Sequence, residues 1–392
     1  RAVAALIRLF GDFDVAEDAV QDAFATALNT WPSAGLPPNP AAWIVTTARN
    51  SAIDRLRRES LGRAILSDVV REQGESADSL ALSLEPMDDD QLRLIFTCCH
   101  PALSPEAQVA LTLRLFCGLA TQDVARAFLV AESTMAQRLV RAKKKIKHAH
   151  IPYRVPTGAE LPERLPPVLA VAYLVYNAGT GRAPGEGTDA EDLCAEGIRL
   201  ARLLHALMPD EPEVAGLLAL MLLNESRRPA RFAADGSIVL LRDQDRDAWS
   251  QPLIAEGQAI LSTCIARDES GPYQLQAAVQ AVHADALTFE ATDWVQIVAL
   301  YDELLHRTRS SVVAMNRAIA VGEVDGPEAA LALVDELELD GYYLYHSTRA
   351  DFLRRLDRKA ESGAAYRRAA ELAPTDSERA YLRNCAGVDE DA

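Results

Sequence analysis

The stretch Thr121-Gln122-Asp123-Val124-Ala125-Arg126-Ala127-Phe128-Leu129-Val130-Ala131-Glu132-Ser133-Thr134-Met135-Ala136-Gln137-Arg138-Leu139-Val140-Arg141-Ala142-Lys143-Lys144-Lys145-Ile146-Lys147 decides how this chain is read. Thr121 is a residue type that caps helix N-termini, and Val124, Ala125 and Phe128 recur on one side of the helix after it. Val130-Ala131-Glu132 reads as a tight turn, with Ser133 as the cap of a second helix. Met135, Ala136, Leu139, Val140 and Ile146 form the expected core side of that helix. Thr134, Gln137, Arg138, Arg141, Lys144 and Lys145 recur every three or four residues on the outside. The pattern predicts a helix-turn-helix whose second helix faces DNA. Thr134, Gln137 and Arg138 would stand near base edges, and Arg141, Lys143, Lys144, Lys145 and Lys147 near phosphates. A basic amphipathic helix alone is often only a solvated face; the capped helix and turn before it favour DNA binding.

Upstream, Pro40 to Arg58 gives a second basic helix. At 100° per residue, Ala41, Val45, Ala48, Ala52 and Leu56 form a stripe opposite Asn50. Trp43, Thr46, Thr47, Asn50, Asp54 and Arg57 share the Asn50 side, with Arg49, Arg55 and Arg58 nearby. An aromatic ring beside Asn, Thr and Arg suits stacking on unpaired bases. The same Trp43 also suits filling a gap against the preceding helix. That helix, Asp14–Asn29, sets an apolar face (Val15, Ala16, Ala19, Val20, Ala23, Phe24, Ala27, Leu28) against Asp14, Glu17, Asp18, Gln21 and Asp22. Acidic residues in a first turn offset the helix dipole; the same exposed face would also dock a basic partner.

The net charge of -17 over 392 residues is unevenly spread. Residues 1–150 hold 17 Lys and Arg against 18 Asp and Glu, whereas residues 151–392 hold 23 against 39. The first part is a patchwork of opposed charges and the remainder is acidic enough to repel nucleic acid, so DNA contact belongs to the first part. Helical periodicity dominates. Pro32 to Pro40 reads as a loop, Leu66 to Asp90 as an acidic solvated linker, Ile151 to Pro167 as the main boundary, and Arg227 to Asp247 as a hairpin or extended excursion. Beyond Pro167 about ten helices are expected. Gly326-Pro327-Glu328-Ala329-Ala330-Leu331 and Arg358-Lys359-Ala360-Glu361-Ser362-Gly363-Ala364 open helices at roughly the tetratricopeptide spacing; a generic helical array fits them nearly as well.

The six cysteines contain no C-x-x-C pair, and adjacent Cys98-Cys99 with His100 read as buried packing rather than ligands. Asp243-Gln244-Asp245 lacks the spacing of a calcium loop. No nucleophile–base pair, phosphate-binding glycine loop or ligand set stands out, so no enzyme activity, metal or cofactor is expected. No membrane span or signal peptide is visible, and a reducing cytoplasm is the expected compartment. The chain opens at Arg1 inside a helical pattern, so a short segment is expected before it.

Phe10-Gly11-Asp12, Ala16-Glu17-Asp18-Ala19-Val20-Gln21-Asp22-Ala23-Phe24 and Trp43 through Arg58 resemble region 2 of bacterial sigma factors of the extracytoplasmic-function (ECF) type. Leu103-Ser104-Pro105-Glu106 through Lys147 resembles region 4. The resemblance covers the first 150 residues. It implies that Asp14, Glu17, Asp18, Gln21 and Asp22 dock on core RNA polymerase, through its β′ and β subunits. It further implies that Trp43, Thr47, Arg49, Asn50, Asp54, Arg55, Arg57 and Arg58 open and read a -10 element. The helix from Ser133 to Lys147 would read a -35 element. The remainder resembles a subgroup with a long tetratricopeptide-like extension, supported by Asp89 through Pro101, Leu241 through Arg246 and Gly271 through Ala278. The expected architecture is all-α. Residues 1–60 form region 2, 61–88 an acidic linker, 89–150 region 4, 151–166 a proline-rich linker and 167–392 a helical extension, a possible regulatory protein or peptide site. The rival reading is a stand-alone helix-turn-helix regulator with a helical effector domain, which would have no use for a second DNA surface.

Overall fold

The computed structural model describes residues 2–58, 86–128, 130–180, 189–233, 236–267 and 269–388. Among them the regular elements are all helical, apart from one isolated antiparallel bridge between Phe232 and Ile238. The chain divides into two compact units, Arg1–Val171 and Ala172–Ala392. Most of the expected acidic linker, with the side chain of Arg58, lies outside the described residues.

The first unit opens with α1 (Ala2–Phe10), α2 (Phe13–Ala34) and α3 (Pro40–Arg58). Asp12 caps α2 by accepting from the main-chain N–H groups of Asp14 and Val15, at 3.0 and 3.2 Å. Contrary to the expected loop from Pro32, α2 runs through that proline to Ala34 and stops at Gly35, whose φ of +82° disfavours other residues. A proline near a helix end removes only one hydrogen bond, and the neighbouring turn at Leu28 faces solvent, so the helix tolerates it.

The unit continues with α4 (Pro86–Cys98), α5 (Pro105–Leu111) running into a π turn at Thr112–Phe116, α6 (Thr121–Ala127), α7 (Glu132–His148) and the start of α8 (Leu161–Thr180). Leu6 and Ile7 of α1 and Leu94, Ile95 and Phe96 of α4 are fully buried, and the two helices pack together. One core therefore joins the first three helices to the helix-turn-helix. Each of those five side chains contributes roughly 1.5–3 kcal/mol over its exposed state. Cys98 and Cys99 are buried in the same core, where burial raises both thiols, Cys99 to about 12.

The segment 151–166, expected to be a linker, is packed on this unit. The Tyr153 hydroxyl donates to the main-chain oxygens of Ala4 and Asp90, at 2.9 and 3.3 Å, and Arg164 donates to Phe96 O at 2.7 Å. Pro162, Pro166 and Pro167 lie within α8, so this helix begins before the expected boundary.

The second unit is a succession of helices, most of them packed against the next in the chain. They are the rest of α8, α9 (Asp189–Leu207), α10 (Pro212–Ser226), α11 (Gln251–Ile265), α12 (Pro272–Asp285), α13 (Trp294–Thr308), α14 (Ser311–Val324), α15 (Pro327–Asp335), α16 (Tyr343–Arg355), α17 (Lys359–Leu372) and α18 (Asp376–Val388). Helix α10 is apolar on every side from Val214 to Leu223, which places it at the centre of its neighbours α9, α11 and α12. Gly216 makes the closest crossing possible. A Cβ there would stand 2.8 Å from the main-chain nitrogen of Gln274 on α12. Glu213 accepts from the main-chain N–H groups of Tyr273 and Gln274, capping α12 from a different helix. Near the expected excursion, Arg228–Ala230, Leu241–Asp243 and Arg246–Ala248 form 3₁₀ turns on either side of the Phe232–Ile238 bridge. Arg246 there donates to Ala286 O at 2.7 Å, just beyond the C-terminus of α12, and its guanidinium stacks 4.9 Å from the centre of the Trp249 ring.

Candidate nucleic-acid interface

Helix α7 is positioned by a stripe of Met135, Leu139, Ala142 and Ile146, all buried at helical spacing. The helix begins at Glu132 with Ala131 at its cap, two residues before the expected Ser133. Val140, expected in the core, is 48% exposed; its place is taken by Ala142. The two positions lie on opposite sides of the helix, and Ala and Val alone do not reveal which one a neighbour covers.

That orientation leaves Ser133, Gln137, Arg138, Arg141, Lys144, Lys145 and Lys147 exposed and Thr134 half-buried. A cleft of about 420 Å³ separates this face from the start of α5. It is lined by Ser104, Glu106, Ala107, Arg138, Arg141 and Lys145. Three cations against one carboxylate make the cleft suited to phosphate. Ser104 caps α5 by accepting from Ala107 N at 3.4 Å, and Arg141 reaches Gln137 at 3.5 Å, linking two of the expected DNA contacts on one face.

Lys143 is different. Its side chain is 14% exposed and its ammonium meets Asp14 of α2 at 2.8 Å and Glu17 in a shorter contact. Burial disfavours the charged lysine, but the hydrogen bonds to Asp14 and Glu17 outweigh it and hold the ammonium's pKa above its ordinary value. Glu17 also meets Arg114 of the π turn at 3.0 Å, and Lys147 lies 3.6 Å from Asp12. Glu17 is therefore buried, not part of an open acidic face. In a run of three lysines, composition does not show which one turns inward.

The remaining acidic residues of α2 stay nearer solvent. Asp18 pairs with Arg55 of α3, Asp22 accepts from the Ser51 hydroxyl at 3.0 Å, and Gln21 is exposed. Phe24 and Leu28, expected on the apolar face, are 53% and 77% exposed beside them. The periodicity alone did not separate these two exposed side chains from core.

On α3 the buried set is Ile44, Ala48, Ala52, Ile53 and Leu56; Ala41 is exposed and Val45 only half-buried. Asn50, Asp54 and Arg57 align on the exposed side, with Arg57 3.7 Å from Asp54. Thr47, Arg49 and Arg55 are half-buried. Trp43 is half-buried too, edge-on to Trp31 of α2 with ring centres 5.3 Å apart. Trp31 carries a buried indole N–H with no hydrogen-bond partner. The ring pair joins both readings of Trp43, since it packs on α2 and keeps part of its surface open.

Within one compact unit the chain carries a helix-turn-helix and a basic aromatic helix beside an acidic one, the arrangement expected from the resemblance to sigma factors. Residues 1–61 match the Sigma-70 region 2 family, residues 93–146 match Sigma-70, region 4, and residues 164–265 match a family of unknown function, DUF6596. The chain belongs to the sigma-70 family as an ECF-type sigma factor with a DUF6596-containing extension. It is 46% identical over 390 residues to the uncharacterized protein R00370 of Rhizobium meliloti (strain 1021), covering 98% of this chain and 92% of the relative. It is also 28% identical over 148 residues to the probable ECF RNA polymerase sigma factor SigI of Mycobacterium tuberculosis (strain ATCC 25618 / H37Rv), covering 37% of this chain and 50% of that protein. No solved structure matches the chain. Sigma factors act in transcription initiation with core RNA polymerase and promoter DNA, and are not enzymes. Among the described residues no helix is long and apolar enough to cross a membrane.

Proposed function

We propose that this sigma factor reads a -35 element through α7 and opens a -10 element through α3, while α2 docks on the β′ subunit and the helical extension regulates these contacts. The observation that carries the reading is the orientation of α7. Its buried stripe leaves Gln137 and Arg138 beside each other, with Arg141 one turn and Lys144 and Lys145 two turns further along. Near the N-terminus of a recognition helix such side chains meet base edges, and the later cations meet the backbone. On α3, Trp43, Asn50, Arg57 and their neighbours suit unpaired bases. On α2, exposed Gln21, Asp22, Phe24 and Leu28 suit a basic protein surface with an apolar centre.

Reconstitution with core polymerase on a genomic template tests the whole reading. Discrete start sites dependent on this chain are expected. Polymerase-independent binding of duplex DNA by a dimer, with no new start sites, would favour the stand-alone regulator instead. In the same assay a chain ended after Thr180 is expected to stay soluble and to change promoter output; wild-type output under all conditions would remove the regulatory role of the extension. The extension's surplus of acidic residues makes a protein or peptide its expected partner rather than DNA.

Replacing Trp43 by Ala is expected to lower strand opening, read as permanganate reactivity of promoter thymines, while closed-complex formation persists. A stacked base contributes roughly 1–3 kcal/mol, and the lost Trp31 contact about 0.5–1.5 kcal/mol of stability. A variant that melts below the assay temperature would leave Trp43 with a packing role only.

A further inference from the structure

Just beyond α10 in the second unit, Arg227 lacks a counter-charge. It forms no ion pair among the described residues, and the ionisable groups that act on it most strongly are Arg231, Tyr176, Tyr301 and Arg246, none of them a carboxylate. The neighbouring Glu225 is taken by Arg228 at 2.9 Å. Nη2 of Arg227 donates to the Asn224 side-chain oxygen at 2.8 Å, while its buried Nε has no hydrogen-bond partner. Burial, then Arg231, pushes the guanidinium down to about 10, so it stays charged at neutral pH. Two more open nitrogens lie close by. Trp249 and His283 are 3% and 6% exposed, and neither the indole N–H nor the imidazole Nδ1 has a hydrogen-bond partner. The Trp249 ring centre stands 5.9 Å from Arg227, and burial, then Arg227 and Arg246, pushes His283 down to about 3 and keeps it neutral. Gln280, one turn before His283 on α12, has an open side-chain oxygen, and its amide can turn to present N–H instead.

Buried polar atoms are nearly always paired, and here several from separate segments stay open around one uncompensated cation. A negatively charged group with acceptor oxygens satisfies them together. Aromatic rings stand beside it: Trp294 of α13 is edge-on to His283, with ring centres 5.2 Å apart, and Tyr301 two turns later lies within electrostatic reach of Arg227. The rest of the extension limits what can approach. Residues 151–392 hold 23 Lys and Arg against 39 Asp and Glu, so a polyanion is repelled while a single negative charge is matched locally. We propose that Arg227, Trp249 and His283 form a binding site for the carboxylate of a small monoanionic ligand, whose apolar or aromatic body lies against Trp294 and Tyr301. The site belongs wholly to the second unit and does not depend on the promoter reading. It gives the extension a ligand of its own, separate from any protein partner.

Calorimetric titration of the full-length chain, with chloride holding ionic strength constant, tests the site. Sodium benzoate is the probe, benzamide its neutral counterpart and inorganic phosphate its more highly charged one. Benzoate is expected to bind saturably at a single site per chain, at least about fivefold more tightly than phosphate, and benzamide not at all. Absence of saturable benzoate binding overturns the proposal. Equal binding of benzamide removes the anion recognition on which it rests, and tighter binding of phosphate overturns the choice of a monoanion. The cations of α7 also attract anions, so a variant assigns the signal. Arg227→Met keeps the side chain long and removes its charge, and is expected to weaken benzoate at least about tenfold, because a hydrogen bond from a charged donor is lost. Undiminished affinity in that variant places the anion elsewhere and overturns the proposal. Should Arg227→Met fail to fold, Trp249→Phe keeps an aromatic ring and removes the open N–H. It is expected to weaken benzoate about three- to tenfold, and undiminished affinity there overturns the proposal as well.

Discussion

Replacing Asp90 by Ala is expected to destabilise the first unit by about 2–3 kcal/mol. Asp90 is 1% exposed and its carboxylate binds Arg8 on α1 and Arg93 on α4. Breaking a buried ion pair by removing one partner costs about 3–5 kcal/mol. The lower figure applies because both arginines keep a path to water. For a unit of this size the melting temperature should fall by roughly 4–12 °C. Trp31 and Trp43 report on this unit and Trp249 and Trp294 on the other, so hydrogen exchange of the α1 and α4 peptides is the cleaner measurement. Protection should be lost there and retained across α10. A melting shift below about 1 °C would mean that α1 and α4 are held by apolar packing alone.

Replacing Arg138 by Ala is expected to relax promoter selection at one upstream base pair. Replacing Lys144 or Lys145 by Ala should weaken all promoters alike. A bidentate base contact contributes about 1–3 kcal/mol of discrimination, which is roughly 5- to 150-fold at that position. A phosphate contact carries no sequence information, and its loss should lower the slope of log affinity against log salt by about one. Transcription from a library randomised upstream of the start site, with holoenzyme at two salt concentrations, separates the two classes. Equal, sequence-independent losses for Arg138 and Lys144 would remove the base-reading role from α7. Lys143 supplies an internal comparison, since its cation is engaged by Asp14 and Glu17 in the free chain and its substitution acts on two contacts at once.

Much of this was legible before the fold. Turns and 3.6-residue periodicity are local properties, and they placed the helix-turn-helix, the acidic helix α2, the basic helix α3 and an all-helical remainder. The uneven charge assigned DNA contact to the first 150 residues, because repulsion from an acidic surface does not depend on how that surface folds. Helix boundaries were less legible where proline was taken as a stop. Pro32 and the prolines at 162, 166 and 167 lie inside helices, because near a helix start or end the lost hydrogen bond is small against the packing of the rest.

Side-chain direction within a helix was legible only in part. Ala41, Val45 and Val140 were expected inside and Ile44, Ile53 and Ala142 take those places, since small and β-branched residues occur on both faces. The sequence by itself determined the class of protein: a helix-turn-helix, a basic helix and an acidic helix, each encoded within some twenty to thirty residues, followed by an acidic helical extension. Only the tertiary structure decided that Glu17 and Lys143, separated by 126 positions, neutralise each other, and that Gly216 lets α10 and α12 cross closely. Periodicity reports which face of a helix is apolar, and charge reports what a face would attract. Neither reports which of several attractive partners arrives, because that depends on where distant segments are brought by the core they share.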